Sequence, residues 1–218
     1  MTGEDLLTLS EPVRQRFQAR HEARETAYQA SRDTIRNAAN AIRALHRGDD
    51  DEADRLIAAS REALDTAAAA AEPFPDVLYS GFVQDAAKEH AEARLTRAAL
   101  AGDPLPGPEE VGVDDGSWLH GLAETVGECR RACLDHVRAG SLDAGEDLLA
   151  LMQEILAVLA TIDVPDGLTR GLRRNADASR AITERTRGDL TTAASQRALR
   201  EALDAHREAL ERAVPPAG

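Results

Sequence analysis

The 218-residue sequence predicts an all-α protein, on three observations. Apolar and small residues recur at three and four, as in Val13, Phe17, Ala27, Ala30, Ile35, Ala38, Ile42 and Leu45. Hydrophobic residues make up 43% of the chain, dominated by Ala and Leu, while aromatics are only 3%. Helices pack well through such small side chains, whereas sheets favour β-branched and aromatic ones. No segment carries a strand signal, and no short repeat is present. The chain reads as one helical domain over 1–218.

The elements follow in order. The first helix runs from Glu11 to Arg47. Gly48-Asp49-Asp50-Asp51 stops it and supplies the cap of a second helix from Glu52 to Ala71. Pro73 and Pro75 break that helix. A third runs from Asp76 to Leu100. Residues 102–116, with Pro104, Pro106, Pro108 and four glycines, form a loop with room for one helical turn at Pro108 to Val111. A fourth helix spans Ser117 to Ala139, with Ser117 as its N-cap, and Gly140 ends it. Ser141 to Ile162 is the most apolar helix, wide enough in its apolar band to be buried and partly shared between subunits. Asp163 to Gly167 turns the chain. Two more helices run from Leu168 to Asp189 and from Ala193 to Ala213, and the tail at 214–218 is expected to be disordered.

The net charge of −13 argues against a protein that coats nucleic acid non-specifically. The charge is uneven, with a net of −15 over residues 1–164 and +2 over 165–218. Arg170, Arg173, Arg174, Arg180, Arg185 and Arg187 form a cationic stretch, either a solvated face paired with acids or a phosphate-contacting one. The scarcity of aromatics argues against base-stacking platforms. No run approaches 18 apolar residues, so no membrane span is expected. The first 16 residues lack an apolar signal core, and Cys129 and Cys133 lack disulfide geometry on one helix. The expected setting is therefore a reducing cytoplasm.

Two glutamate pairs carry the chemistry. Glu89 and Glu92 are three apart, and Glu124 and Glu128 are four apart, so each pair shares a helix face. They are either solvated charge or, if the helices pack together, one site where four carboxylates need a cation. Ala91, Ala93, Ala123, Gly121 and Gly127 are small enough for close packing. A hard divalent ion and phosphoryl chemistry suit such a site. A di-iron bundle centre would need Glu-x-x-His, and none of the six histidines has Glu three residues before it. His90, beside Glu89, reads as a surface histidine or as a base or phosphate contact. No P-loop, G-x-S-x-G, dinucleotide fingerprint or zinc-type cysteine cluster is present.

Four segments in order resemble the translin family. They are Arg20-His-Glu-Ala-Arg-Glu with Ala30-Ser-Arg-Asp and Ala44-Leu-His-Arg, then Lys88-Glu-His-Ala-Glu-Ala, then Trp118-Leu-His-Gly-Leu-Ala-Glu-Thr-Val-Gly-Glu-Cys-Arg-Arg, and Gly171-Leu-Arg-Arg-Asn-Ala-Asp. The second is similar to the family's Q-E-Y-V-E-A and the third to its D-Y-L-x-G-x-x-D-x-x-G-E-L-x-R. The resemblance spans most of residues 15–190. It implies a seven-helix fold and roughly octameric homo-oligomers that bind single-stranded RNA or single-stranded DNA. Acids at Glu89, Glu92, Glu124 and Glu128 resemble the nuclease branch, translin-associated factor X, and the compact chain resembles archaeal members. What this implies is a Mg²⁺- or Mn²⁺-dependent endoribonuclease, with those four acids holding the metal to activate water for RNA cleavage. The alternative it leaves is a non-catalytic RNA- or DNA-binding oligomer. Three departures stand out. Lys88 replaces Gln, His90 replaces Tyr, and Glu124 replaces Asp. The family's basic, aromatic-rich nucleic-acid segment reads here Leu78-Tyr-Ser-Gly-Phe-Val-Gln-Asp, which shifts RNA contact toward Arg170, Arg173, Arg174 and Arg180.

Overall fold

The structure is a computed structural model and describes residues 3–213. The tail at 214–218 lies outside the described residues. Among the described residues there is no strand, and there are six long helices and three four-residue ones. These are α1 (Gly3–Leu45), α2 (Asp50–Ala71), α3 (Pro75–Leu78), α4 (Phe82–Ala101), α5 (Pro108–Val111), α6 (Asp115–Ala139), α7 (Leu142–Ala160), α8 (Asp166–Thr169) and α9 (Leu172–Ala213). No described helix is long and apolar enough to cross a membrane.

Most boundaries follow the local signals. Asp49 caps α2, its carboxylate accepting from the Glu52 N–H at 3.3 Å. The turn expected at Pro108 to Val111 is α5, with Pro108 at its start. Four expectations need correction. The first helix begins at Gly3 and runs through Pro12. The third is two helices, because the chain turns at Tyr79-Ser80-Gly81, where Gly81 has φ 102. Asp114 rather than Ser117 caps α6: its carboxylate accepts from the Ser117 N–H at 3.0 Å and the Ser117 hydroxyl at 2.6 Å. The last two predicted helices are the single α9, since Leu190-Thr191-Thr192 holds no Gly or Pro to stop it.

The chain divides into two compact units, residues 1–125 with 164–172 and residues 126–163 with 173–218. In the first, α4 packs against α1 and α2. Ala93 sits in one core cluster with Ala38, Ala41 and Ile42 of α1 and Leu56 and Ile57 of α2. Ala86 and Ala87 meet Leu64 of α2. Buried positions run right round α4, from Val83 through His90 and Ala91 to Leu95. It is a central helix without one apolar stripe, and its alanines let neighbours approach closely.

In the second unit, Met152 and Cys133 are fully buried and Leu149, Ile155, Leu159 and Leu190 are nearly so. Gly145 admits Leu190, whose Cδ2 lies 3.0 Å from where a Cβ would stand. Arg130 ties α6 to α9, donating to Asp189 at 2.8 Å and to the Thr186 hydroxyl at 2.9 Å. Both cysteines are free, as their spacing predicted, and both are buried. Burial pushes the Cys129 thiol up to about 12, so it behaves as an inert core residue.

Candidate metal centre

The centre is built where α4 meets the first half of α6, inside the first unit. Two contacts set the helix pair. The Ser117 hydroxyl also lies 3.2 Å from the Gln84 carbonyl oxygen, its acceptor on α4. One turn on, buried Gly121 lies directly against α4: a Cβ there would sit 2.8 Å from the Ala91 Cβ, 2.9 Å from the Glu92 nitrogen and 3.1 Å from the Lys88 carbonyl oxygen. Only a residue without a Cβ permits that approach. Glu124, one turn beyond Gly121 on the same face, is thereby delivered to Glu89 and Glu92.

Carboxylate oxygens of Glu89, Glu92 and Glu124 lie within 4.8 Å of one another. Glu92 is 9% exposed. Glu89 and Glu124 are half-buried. Lys88, the only lysine in the chain, places its Nζ 3.0 Å from Glu89 Oε1 and 2.9 Å from Glu124 Oε2. Burial works to lower the Lys88 ammonium, but the two carboxylates outweigh it and hold it protonated well above the ordinary lysine value. The sequence marked Lys88 only as a departure from a family glutamine. Its role as counter-ion of the acids needed the fold, since Glu124 is 36 residues away.

The predicted acids are thus sorted. Glu89, Glu92 and Glu124 come together. Glu128 lies four residues further along α6, in the second unit, with its carboxylate 4.0 Å from Arg131.

His90 is neither the surface histidine nor the base that its position beside Glu89 offered. It is 1% exposed and points to α2, its Nδ1 3.0 Å from the Ser60 hydroxyl. The Ser60 hydroxyl donates to the Thr34 carbonyl at 3.2 Å, so the ring N–H donates at Nδ1. Burial pushes the imidazole down to about 4, with the guanidiniums of Arg61 and Arg94 adding to the effect and Asp65 opposing it. Between pH 6.5 and about 4 the unfolded chain therefore binds a proton that the folded chain refuses. Stability falls as pH drops through that window, by up to about 3 kcal/mol from this group. Denaturant unfolding at pH 7 and pH 4.5 checks it. His90→Gln is expected to lose less stability on acidification than the native chain, and equal losses would contradict the assignment.

No family model matches the sequence. An uncharacterized protein of Methanocaldococcus jannaschii is 28% identical over 183 residues, 83% of this chain and 80% of that protein. AfC3PO, solved alone and with duplex RNA, superposes with a TM-score of 0.80 at 28% identity, covering 86% of this chain and 97% of its own. This chain is translin-like. Apo-NeC3PO, at 18% identity, shares the fold, with a TM-score of 0.77 over 84% of this chain and 96% of its own. C3PO proteins are translin–TRAX proteins, here from archaea and a fungus.

The four arginines expected to contact nucleic acid fall in both units. Arg170 belongs to the first unit and ion-pairs with Asp85 at 3.4 Å. Arg173, Arg174 and Arg180 are exposed on α9 in the second unit, with Arg173 3.9 Å from Asp163.

Proposed function

We propose that this translin-like protein binds RNA and cleaves it as a metal-dependent endoribonuclease on single-stranded substrates. The observation that carries the reading is the convergence of Glu89, Glu92 and Glu124, with one ammonium bridging Glu89 and Glu124. All the donors are carboxylate oxygens, the set that Mg²⁺ or Mn²⁺ prefers, and the protein already seats a cation among them. RNA binding draws support from the likeness to AfC3PO, which is known with duplex RNA.

Glu89, Glu92 and Glu124 would hold the metal. A bound Mg²⁺ supplies Lewis-acid polarisation of a phosphate oxygen and acidifies water for attack on phosphorus. The chain's own part is to fix the three carboxylates through the α4–α6 contact, so that little ordering is left for the moment of reaction. Lys88 reduces the negative charge that the cluster presents to an approaching phosphate. Neutral His90 contributes no charge and stays in the core.

The experiment pairs single-stranded and duplex RNA with Mg²⁺, Mn²⁺ or chelator at stated salt, because a protein of net charge −13 binds phosphates in a salt-dependent way. Cleavage of the single strand with metal, none in chelator and none by Glu89→Ala are expected. Undiminished cleavage by that variant would sink the assignment. The second reading is a non-catalytic RNA- or DNA-binding protein. The observation favouring it is Lys88, which fills the cation position from within. Binding that persists in chelator, with no cut under any divalent metal, selects it.

The same proposal includes self-association into an octamer-like homo-oligomer in a reducing cytoplasm. Exposed Leu6, Leu7, Leu9 and Phe17 on α1, and Leu199, Leu203 and Leu210 on α9, are the kind of apolar surface that partners cover.

A further inference from the structure

Lys88 is an exception in composition. Of the 26 basic side chains it is the only lysine, and the rest are arginine. The exception falls at the acid cluster. A guanidinium there would fork onto one carboxylate and hold it. An ammonium is a compact charge on a flexible four-carbon stem, and its three donors can be re-aimed. Its contacts are spread over two acids. The Lys88 Nζ lies 3.0 Å from Glu89 Oε1, 3.0 Å from Glu124 Oε1 and 2.9 Å from Glu124 Oε2. The Lys88 side chain keeps 23% of its surface in solvent, so a polyanion can reach it, whereas Glu92 is buried.

Charge decides what that ammonium does once the centre is loaded. Three carboxylates around a divalent ion leave one negative charge over. A phosphodiester brings another, and the two repel in a half-buried site where salt screens little. The Lys88 ammonium cancels the excess. Arg61, Arg97 and Arg170 of the same unit are held by Asp65, Asp54 and Asp85. With the carboxylate oxygens engaged by a divalent ion, the ammonium loses acceptors. A half-buried cation without them is unfavourable, and a non-bridging phosphate oxygen is the acceptor that an RNA substrate supplies.

We propose that Lys88 changes partners. It balances Glu89 and Glu124 in the metal-free protein, and in the metal-loaded protein it donates to a non-bridging oxygen of the bound phosphodiester. The proposal rests on the nuclease reading above and adds a catalytic residue to it, because negative charge on those oxygens must be held while phosphorus is attacked. The ammonium keeps its proton throughout, and no covalent bond to Lys88 forms or breaks.

The test uses the full chain, at saturating Mg²⁺ and in chelator, with a single-stranded RNA whose bridging 3′-oxygens are methylene groups. That strand keeps its charge and both non-bridging oxygens and resists cleavage, so binding is read alone. With lysine as the only ¹⁵N-labelled residue type, Lys88 gives the one lysine ammonium signal in NMR. The signal is expected to shift on addition of Mg²⁺, to shift again when RNA is added in Mg²⁺, and to stay in place when RNA is added in chelator. Lys88→Met is expected to bind the RNA about tenfold more weakly than the native chain in Mg²⁺, with a salt slope smaller by about 0.7, the share of one phosphate contact on a single strand. In chelator the two proteins are expected to bind within about twofold of each other, because the native ammonium is then held by the acids. A signal that Mg²⁺ does not move, a signal that RNA does not move in Mg²⁺, equal slopes in Mg²⁺, or the same loss with and without metal would each overturn the proposal. The native signal needs no variant, so the test stands even where Lys88→Met fails to fold. Unmodified RNA separates this proposal from the reading beneath it. Metal-dependent cleavage that is as fast in Lys88→Met as in the native chain would keep the nuclease and remove Lys88 from it. A metal-dependent slope difference in a native protein that cuts no RNA would uphold the phosphate contact and remove the nuclease reading instead.

Discussion

Gly121→Ala is expected to take the metal centre apart while leaving most of the helices intact. The added methyl would stand 2.8 Å from the Ala91 Cβ and 2.9 Å from the Glu92 nitrogen. Neither can yield cheaply: one is a side-chain stub and the other is helix backbone. Relief requires α6 to move away from α4, and overpacking of this kind costs about 1–3 kcal/mol. Glu124 moves with α6, whereas Glu89 and Glu92 stay on α4. Thermal unfolding with and without Mn²⁺ reads both effects. The variant is expected to melt several degrees lower in chelator and to lose the metal-induced rise shown by the native chain. A folded variant that keeps the native response to Mn²⁺ would show that the close approach at Gly121 does not set the centre.

Lys88→Gln is expected to act in the opposite direction on metal binding. In the native chain a divalent ion must displace, or share its carboxylates with, an ammonium held at 3.0 Å by Glu89 and at 2.9 Å by Glu124. Hydrogen bonds to charged groups contribute about 1.5–3 kcal/mol each, so removing the competitor is expected to raise Mn²⁺ affinity at least tenfold. In chelator the same variant is expected to be less stable than the native chain, because Glu89 and Glu124 then lose the ammonium they share. The two variants separate the two jobs: one side chain's absence allows the helices to meet, and another's presence balances what the meeting brings together. Affinity unchanged in Lys88→Gln would mean that the ammonium is not in the metal's place.

Much of this was readable before the fold was known, for reasons of local physics. Helix starts and stops depend on nearest neighbours, so Asp49, Pro108 and Gly140 marked their boundaries. The break at 79–81 was missed because a lone Gly81 inside a helical pattern is often tolerated, and its positive φ is invisible in a sequence. The continuity of α9 was missed because Thr191 and Thr192 look like weak helix formers; their hydroxyls lie within hydrogen-bonding distance of the Arg187 and Gly188 carbonyls, the back-bonding that lets a helix carry such residues.

At the centre, pair spacing placed Glu89 with Glu92, and the family resemblance joined them to Glu124. Spacing could not show that Lys88 would turn to the same point, nor that His90, one residue on from Glu89, would face the core. Adjacent residues on a helix diverge by about 100°, so neighbours in sequence need not share a fate. The small residues around Gly121 suggested close packing, but only distances to Ala91 and Glu92 separate a required glycine from a permitted one.

The central claim is that Glu89, Glu92 and Glu124 form one cation site. Anomalous diffraction from crystals of the protein soaked in Mn²⁺ tests it most directly. A Mn²⁺ peak within about 2.3 Å of oxygens from all three glutamates, with the Lys88 ammonium displaced or shifted, is the predicted result. No peak there at a Mn²⁺ concentration that supports RNA cleavage, with Lys88 still bound to Glu89 and Glu124, would contradict it.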